Sequence, residues 1–328
     1  LNSGSSSIKY QLLYGNDHGE FILKTKGQVD RIGNNGSNIE QKTKEKETLV
    51  IEQPIANHLE GIDLILKLLI DPRHEVIQSL AEIDAIGHRV AHGGEFFKSS
   101  AVIDERAKTE IRKLFDLAPL HNPSNLEGIE AMESRLPGIP QVAVFDTAFH
   151  QTMSEEAFLY GIPYRLYKKH HIRRYGFHGT SHQFVAQRAC KILGWDIAEK
   201  KIISCHLGNG ASITAIDGGK SVETSMGFTP NYGLVMGTRS GVVDPGIIGF
   251  LVENEAMELA EVLEMLNKES GMKGMSNGLS SDMRDLAEAM RNGNPDAERA
   301  LKSYAHRVKH YIGAYAVQMN GVDLVIMT

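Results

Sequence analysis

Hydrophobic and polar positions alternate along "SIKYQLLYG" (residues 7–15) and again along "FILKTKGQV" (21–29), which predicts two strands of a meander. Residues 30–48, with "GNNGSN" and "QKTKEKET", are polar and without period, and read as a solvated loop. Apolar spacing then predicts a helix over 53–70, a short buried strand "AIGHRV" closing in a Gly-Gly turn, and helices over 104–115 and 123–135. Asn122 before Pro123 is the favoured order at a helix start, with Asn122 as the cap. "QVAVFDTAFH" (141–150) reads as a buried strand whose polar residues begin where the strand ends, the place where α/β sheets bind ligands.

Past residue 150 the scheme recurs. "KIISCHLGNGASITAIDGG" (201–219) is strand, tight Gly-Asn-Gly turn, strand and turn, and helices are predicted near 247–268, 282–292 and 295–319. Asn294-Pro295 repeats the cap-then-proline start. Small-residue turns lead into an alternating strand twice, in "LNSGSSSIKYQL" and "HLGNGASITAI". The pair points to a duplicated α/β unit, 1–150 and 151–328, with a cleft between the halves.

Length and composition narrow the class. The 328 residues are 41% hydrophobic and 23% charged, as in an ordinary globular protein with room for two domains. A net charge of −6 argues against nucleic acid or an anionic membrane as the main partner. The two cysteines, Cys190 and Cys205, lie in apolar stretches and read as buried free thiols in a reducing compartment. "IDLILKLLI" (62–70) is too short to span a bilayer and carries Lys67; no secretory signal opens the chain, so the expected location is the cytoplasm. The start at "LNSGSSS" without Met and the stop in the strand-like "GVDLVIMT" lead us to expect a longer parent protein.

Candidate chemistry sits in the Gly-rich segments. Turns such as "GSSS" and "GNG" expose backbone N–H groups that can cradle phosphate; either alone reads first as a plain hairpin turn, and the pair points toward phosphate-binding hairpins. Neither is a Walker loop or a dinucleotide fingerprint, because a strand follows where a helix is required. Arg89 in "GHRVAHGG" and Arg239 in "MGTRSG" stand among small residues, placed either to fork onto a carboxylate or phosphate or to form a structural ion pair. Asp146, just past "VAVF", is a cap, an arginine partner or a base. Asp282 or Ser281 caps the helix of "LSSDMRDLAEAM". His178 and His182 have the i, i+4 spacing of a metal pair, but Gly179-Thr180-Ser181 between them places a helix start near Thr180. His182 then falls in the first turn and His178 outside it, which argues against a shared zinc ion.

Taken together, "NSGSSSIKYQL", "GHRVAHGGE", "LAPLHNP", "VAVFDTAFHQTM", "RRYGFHGTSH", "CHLGNGAS", "TSMGFTP", "GLVMGTRSG" and "SSDMRD" closely resemble the acetate kinase family of the actin-like sugar-kinase superfamily. The segments follow family order over residues 2–328. The resemblance implies two duplicated actin-like (ribonuclease H-like) α/β domains with an interdomain active-site cleft, the second lacking the family's C-terminal segment. It implies reversible, ATP- and Mg²⁺-dependent phosphorylation of acetate to acetyl phosphate, and a homodimer. By the same resemblance Asp146, His178, Arg239 and Arg89 are catalytic, and Arg89, Ala91, Leu120, Phe177 and Pro230 bind the acyl substrate. Lys9, His206, Leu207, Gly208, Asn209, Gly210, Asp282, Met283 and Arg284 bind the nucleotide, and Asn2 helps hold the metal.

Acetate is already ionised at neutral pH, since carboxyls titrate near ~4, so Asp146 is expected to orient an arginine or a metal-bound water instead of acting as a base. Two positions depart from the family pattern: Val242 stands where Asp is usual, and Ala91 where Val commonly lines the acyl pocket. The alternatives are a propionate or butyrate kinase, a non-catalytic nucleotide-binding remnant, and a metallohydrolase using His178 and His182.

Overall fold

A computed structural model describes residues 1–16, 20–44, 46–74 and 76–328, in two compact units, Leu1–Ala148 and Phe149–Thr328. Unit one opens with β1 (Asn2–Gly4), β2 (Ser7–Gly15), β3 (Phe21–Asp30), β4 (Asn38–Thr43) and β5 (Leu49–Glu52), an antiparallel sheet in sequence order. It continues through α1 (His58–Leu69), β6 (Ile86–Val90), β7 (Ala101–Val102), α2 (Glu105–Lys113), α3 (Asn122–Arg135) and β8 (Gln141–Phe145). β8 lies between a parallel β6 and an antiparallel β7. Leu1 N–H donates to the Gly87 carbonyl at 2.7 Å and Arg89 N–H to the Leu1 carbonyl at 2.9 Å, a parallel pattern that sets β6 alongside the start of β1.

The strands form because their inward positions are apolar. Ile8, Tyr10, Val29 and Ile39 point down onto Ile62, Ile65, Leu66 and Leu69 of α1 and Met132 of α3, all buried. Each such aliphatic side chain removed from water contributes about 1.5–3 kcal/mol. A second cluster joins Val90, Ala143 and Phe145 to Ile111, Leu126 and Ile129.

Unit two contains α4 (Glu155–Phe158), α5 (Tyr164–His170), α6 (Gly179–Leu193), β9 (Lys201–Leu207), β10 (Ala211–Asp217) and β11 (Lys220–Thr224). There follow α7 (Pro245–Asn254), α8 (Leu259–Lys268), α9 (Gly271–Met275), α10 (Met283–Arg291), α11 (Pro295–Gln318) and β12 (Leu324–Met327). The sheet order is β11-β10-β9-β12, with β12 parallel to β9. Unit one presents the same scheme: β3-β2-β1 antiparallel, then β6 running parallel beside the first strand. The expected duplicated α/β plan is therefore present in the strand order.

Four expectations need correction. The segment read as a loop over 30–48 contains β4; its inward positions are Ile39 and Gln41, so only one is apolar and no alternation shows. Glu45, in that same stretch, lies outside the described residues. The helix expected from residue 53 starts at His58, where the Asn57 side chain accepts from Glu60 N–H. Asn122 is no cap: His121 holds that position and the Asn122 amide is used elsewhere. The helix read over 247–268 is two, α7 and α8, broken near Ala256, whose φ is +52°.

Candidate active site

Along β6 the side chains alternate, with His88 buried and Arg89 on the open side. β8 pairs Phe145 with Val90, so the next residue, Asp146, emerges beside Arg89, and its N–H donates to the Val90 carbonyl at 3.1 Å. Arg89 Nε donates to both Asp146 oxygens at 3.0 and 3.1 Å, and Nη2 donates to Oδ2 at 2.5 Å. Nη1 donates to Asn2 Oδ1 at 3.1 Å. The carboxylate is 5% exposed and the guanidinium side chain 45%, so a buried anion fixes a cation that stays open to solvent.

The segment after β6 is held by amides. Ala91 N–H donates to Asn125 Oδ1 at 2.9 Å, and Asn125 Nδ2 donates to the Ser3 carbonyl at 2.5 Å. Asn122 accepts from His92 N–H at 3.1 Å and donates to the His92 carbonyl at 2.9 Å; Gly93 N–H donates to Thr147 Oγ1. The sequence reading missed these clamps, although the two Asn three apart in "NPSN" sit where one helix face repeats. Ala91 is buried and Leu120 exposed. Lys9 faces Asn2 across the β1–β2 ladder, and both line a 440 Å³ recess with Lys26, Glu40 and Lys42.

In unit two, His178 is the residue before α6 and adopts the left-handed conformation, φ +57°. Its Nδ1 is hydrogen-bonded to Ser212 Oγ at 2.9 Å, and its ring stacks on His206 at 4.2 Å. His182 occupies the first turn, as the spacing predicts, and its N–H donates to the His178 carbonyl. Both histidines turn a ring nitrogen to Ser212, so this is not a metal pair. Among the described residues no three His, Cys, Asp or Glu side chains gather as a metal site.

The turn Gly208-Asn209-Gly210 closes the β9–β10 hairpin. A Cβ on Gly210 would lie 3.4 Å from Arg239 Nη1 and 3.7 Å from His178 Nε2, so bare backbone separates the two side chains. A Cβ on Gly237 would meet Asn209 Oδ1 at 1.8 Å, and Gly237 N–H donates to the Asn209 carbonyl, which locks "MGTRSG" to the turn. Arg239 is half-buried, and burial lowers its pKa from the ordinary value. Its hydrogen-bond acceptors are the Pro230 carbonyl at 3.3 Å and Met236 Sδ; among the described residues no carboxylate pairs with it.

A cavity of about 480 Å³ opens beside the turn. Leu207, Gly208, Asn209, Asp282, Met283 and Arg284 line it, joined by Ser281, read in the sequence only as a possible cap, and by Gly237, Met272 and Tyr304, which the sequence reading did not single out. Asp282 caps α10 through Arg284 N–H, and the Arg284 side chain holds its carboxyl down at about 2. Phe177 packs in the core of this unit, and its carbonyl is hydrogen-bonded to His150 Nε2. The expected residues thus gather as two sets. Asn2, Lys9, Arg89, Ala91, Leu120 and Asp146 lie in unit one, and His178, His206–Gly210, Arg239 and Asp282–Arg284 in unit two with Phe177 and Pro230.

With this geometry in hand, comparison settles the lineage: the Acetokinase family profile matches residues 1–328. The chain belongs to the acetokinase family. It is a phosphotransferase by that membership. Among its acetokinase relatives, the acetate kinase of Alkaliphilus metalliredigens is 54% identical over 328 residues, covering all of this chain and 82% of the relative. The crystal structure of Porphyromonas gingivalis acetate kinase superposes with a TM-score of 0.94 at 48% identity, covering 99% of this chain and 80% of that one. A propionate kinase from Francisella tularensis superposes with a TM-score of 0.91 at 40% identity, covering 99% and 81%. No helix among the described residues is long and apolar enough to cross a membrane.

Proposed function

We propose that this chain transfers the γ-phosphoryl group of ATP to the carboxylate of acetate, giving acetyl phosphate and ADP, and that it runs the reverse reaction as well. An acetate oxygen attacks the γ-phosphorus while the bond to the β-phosphate oxygen breaks, and that oxygen leaves with ADP. One observation carries the reading: Arg239 is a half-buried cation with no carboxylate partner among the described residues, set beside His178 across the bare backbone of Gly210. A desolvated guanidinium calls for an anion, and a positioned arginine is worth about 10³–10⁵ in phosphoryl transfer.

In this reading the cavity beside Gly208-Asn209 receives the nucleotide, with Leu207, Asp282, Met283 and Arg284 around it. His206, stacked on His178, and Lys9 serve the phosphates. Arg89, aimed by Asp146, binds the acetate carboxylate, and Ala91, Leu120, Phe177 and Pro230 meet its methyl group. Mg²⁺ bound to the nucleotide neutralises part of the charge on its β- and γ-phosphates. The protein donors here do not fit direct ligation of that ion, which favours carboxylates, because both Asp146 oxygens and Asn2 Oδ1 face Arg89. Asn2, the residue that the resemblance assigns to the metal, would hold a nucleotide-bound ion only indirectly. A cytoplasmic homodimer completes the reading carried by the family.

The test is formation of acetyl hydroxamate from ATP, Mg²⁺, acetate and hydroxylamine. Absence of product, with ATP still bound, would reduce the chain to a nucleotide-binding remnant. The likeness to a propionate kinase and the small side chain at Ala91 favour tolerance of a longer acid. One methylene is worth about 1–3 kcal/mol of discrimination, so Ala91→Val should lower the propionate-to-acetate ratio of kcat/KM by roughly tenfold or more. An unchanged ratio removes Ala91 from the acyl pocket.

A further inference from the structure

His182 spends both ring nitrogens on buried serines. Nδ1 is hydrogen-bonded to Ser204 Oγ at 2.9 Å and Nε2 to Ser212 Oγ at 2.8 Å. Ser212 Oγ is also hydrogen-bonded to His178 Nδ1 at 2.9 Å, and Ser204, His182 and Ser212 are all fully buried. The strand ladder explains the grouping: Ser204 and His206 on β9 share a face with Ser212 on β10, and α6 covers that face.

A hydroxyl carries one proton and two lone pairs, so Ser212 can donate to only one of its two histidines and is free to accept from the other. Burial, and then the neighbouring His150, His178 and His206, push the His182 pKa well below its ordinary value of 6.5, so this ring is neutral with a single N–H. For a neutral His178 ring, and with the Ser212 proton spent inside the row, two senses are open. In the first, Ser204 donates to His182 Nδ1, His182 Nε2 donates to Ser212, and Ser212 donates to His178 Nδ1, which leaves the His178 proton on Nε2. In the second every bond reverses, and Nε2 presents a lone pair. Nε2 is the nitrogen that borders Gly210 on the side of Arg239. A lone pair there repels an anion and an N–H binds it.

We propose that Ser212 and His182 are positioning residues that hold the proton of His178 on Nε2, so that the ring offers an N–H to the phosphoryl group drawn in by Arg239. The functional side of this inference rests on the phosphoryl-transfer reading; the tautomer itself does not.

The test uses the full chain labelled with ¹⁵N at histidine, with Mg²⁺ and the β,γ-imido analogue of ATP, and His178→Gln to assign the resonance. Long-range ¹H–¹⁵N correlation should find His178 protonated at Nε2, and Ser212→Ala should give a mixture of tautomers. Loss of the group that fixes an imidazole tautomer can cost up to about 10⁴ in kcat; with His178 retained, Ser212→Ala should lower kcat about 10- to 100-fold, with KM values within about twofold. Ser204→Ala should shift both readouts in the same direction and less. A wild-type proton on Nδ1, an unchanged tautomer in Ser212→Ala, or a kcat loss no larger than the loss of folded protein would overturn the proposal. If wild type forms no hydroxamate, the phosphoryl-transfer reading fails instead, while the tautomer measurement still decides the relay.

Discussion

Asp146 buries its carboxylate against a guanidinium, and that pairing decides what it can do. With Arg89 Nε and Nη2 on its oxygens, it is placed to aim a cation rather than to take a proton. Acetate, titrating near ~4, needs no base at neutral pH. Asp146→Asn keeps the shape but loosens the fork, and a misaimed binding group costs up to about 10²-fold. The expected outcome is a fall of about 10- to 100-fold in kcat/KM for acetate with the pH–rate profile between pH 6 and 9 unchanged in shape. A titration lost from that profile would mark Asp146 as a base. The pairing was open in the sequence, where Arg89 and Asp146 stand 57 positions apart and only the β6–β8 register brings them together.

Elements with one clear period were legible. β2 and β3 alternate visibly, and the start of α6 followed from Gly179-Thr180-Ser181. What escaped was polar structure whose partners are distant. β4 hides because Gln41 points inward to accept from Tyr10 Oη at 2.7 Å, and no local rule marks a buried glutamine. Asn122 read as a helix cap and Asn125 drew no reading, yet they tie α3 to the segment after β6 and to β1. Truncating one such partner strands buried backbone groups at about 1–3 kcal/mol each. Asn125→Ala should accordingly destabilise the chain by a few kcal/mol, read as a lower urea midpoint. It should also weaken acetate kinetics more than ATP kinetics, because Ala91 N–H and the Ser3 carbonyl both lose their partner. Equal effects on the two substrates would mean that α3 supports the fold only.

At the scale of the molecule, each unit carries a buried histidine that resists protonation. In unit one, burial above all pushes His88 down to about 4, against the raising effect of its 2.6 Å hydrogen bond to Gln141. In unit two, His182 is lowered as well. The unfolded chain takes up these protons near the ordinary 6.5 and the native chain does so only at lower pH. Their stabilisation is therefore present above about pH 6.5 and is lost as the pH falls, for His88 across the window down to about 4, and is worth roughly 3 kcal/mol there. Urea midpoints should be level from pH 7 to 8 and drop steeply between 6.5 and 4, with His88→Gln flattening part of the slope. A midpoint that stays level through that window would show that neither histidine is neutral in the native state.

The stripe that α6 lays on the β9–β10 face reads His182, Ala186, Cys190 at steps of four, with His178 one step before it. Its lower members pack with Ile202 and Ile216, and its upper members reach Ser204 and Ser212. The helix acts as a ruler, graduated from grease at one end to proton chemistry at the other. Exchanges of similar volume at its lower marks leave the scale intact. A single residue inserted between His182 and Ala186 does not, since it turns everything on one side by about 100°. This part of the chain tolerates spelling changes but not a change of length.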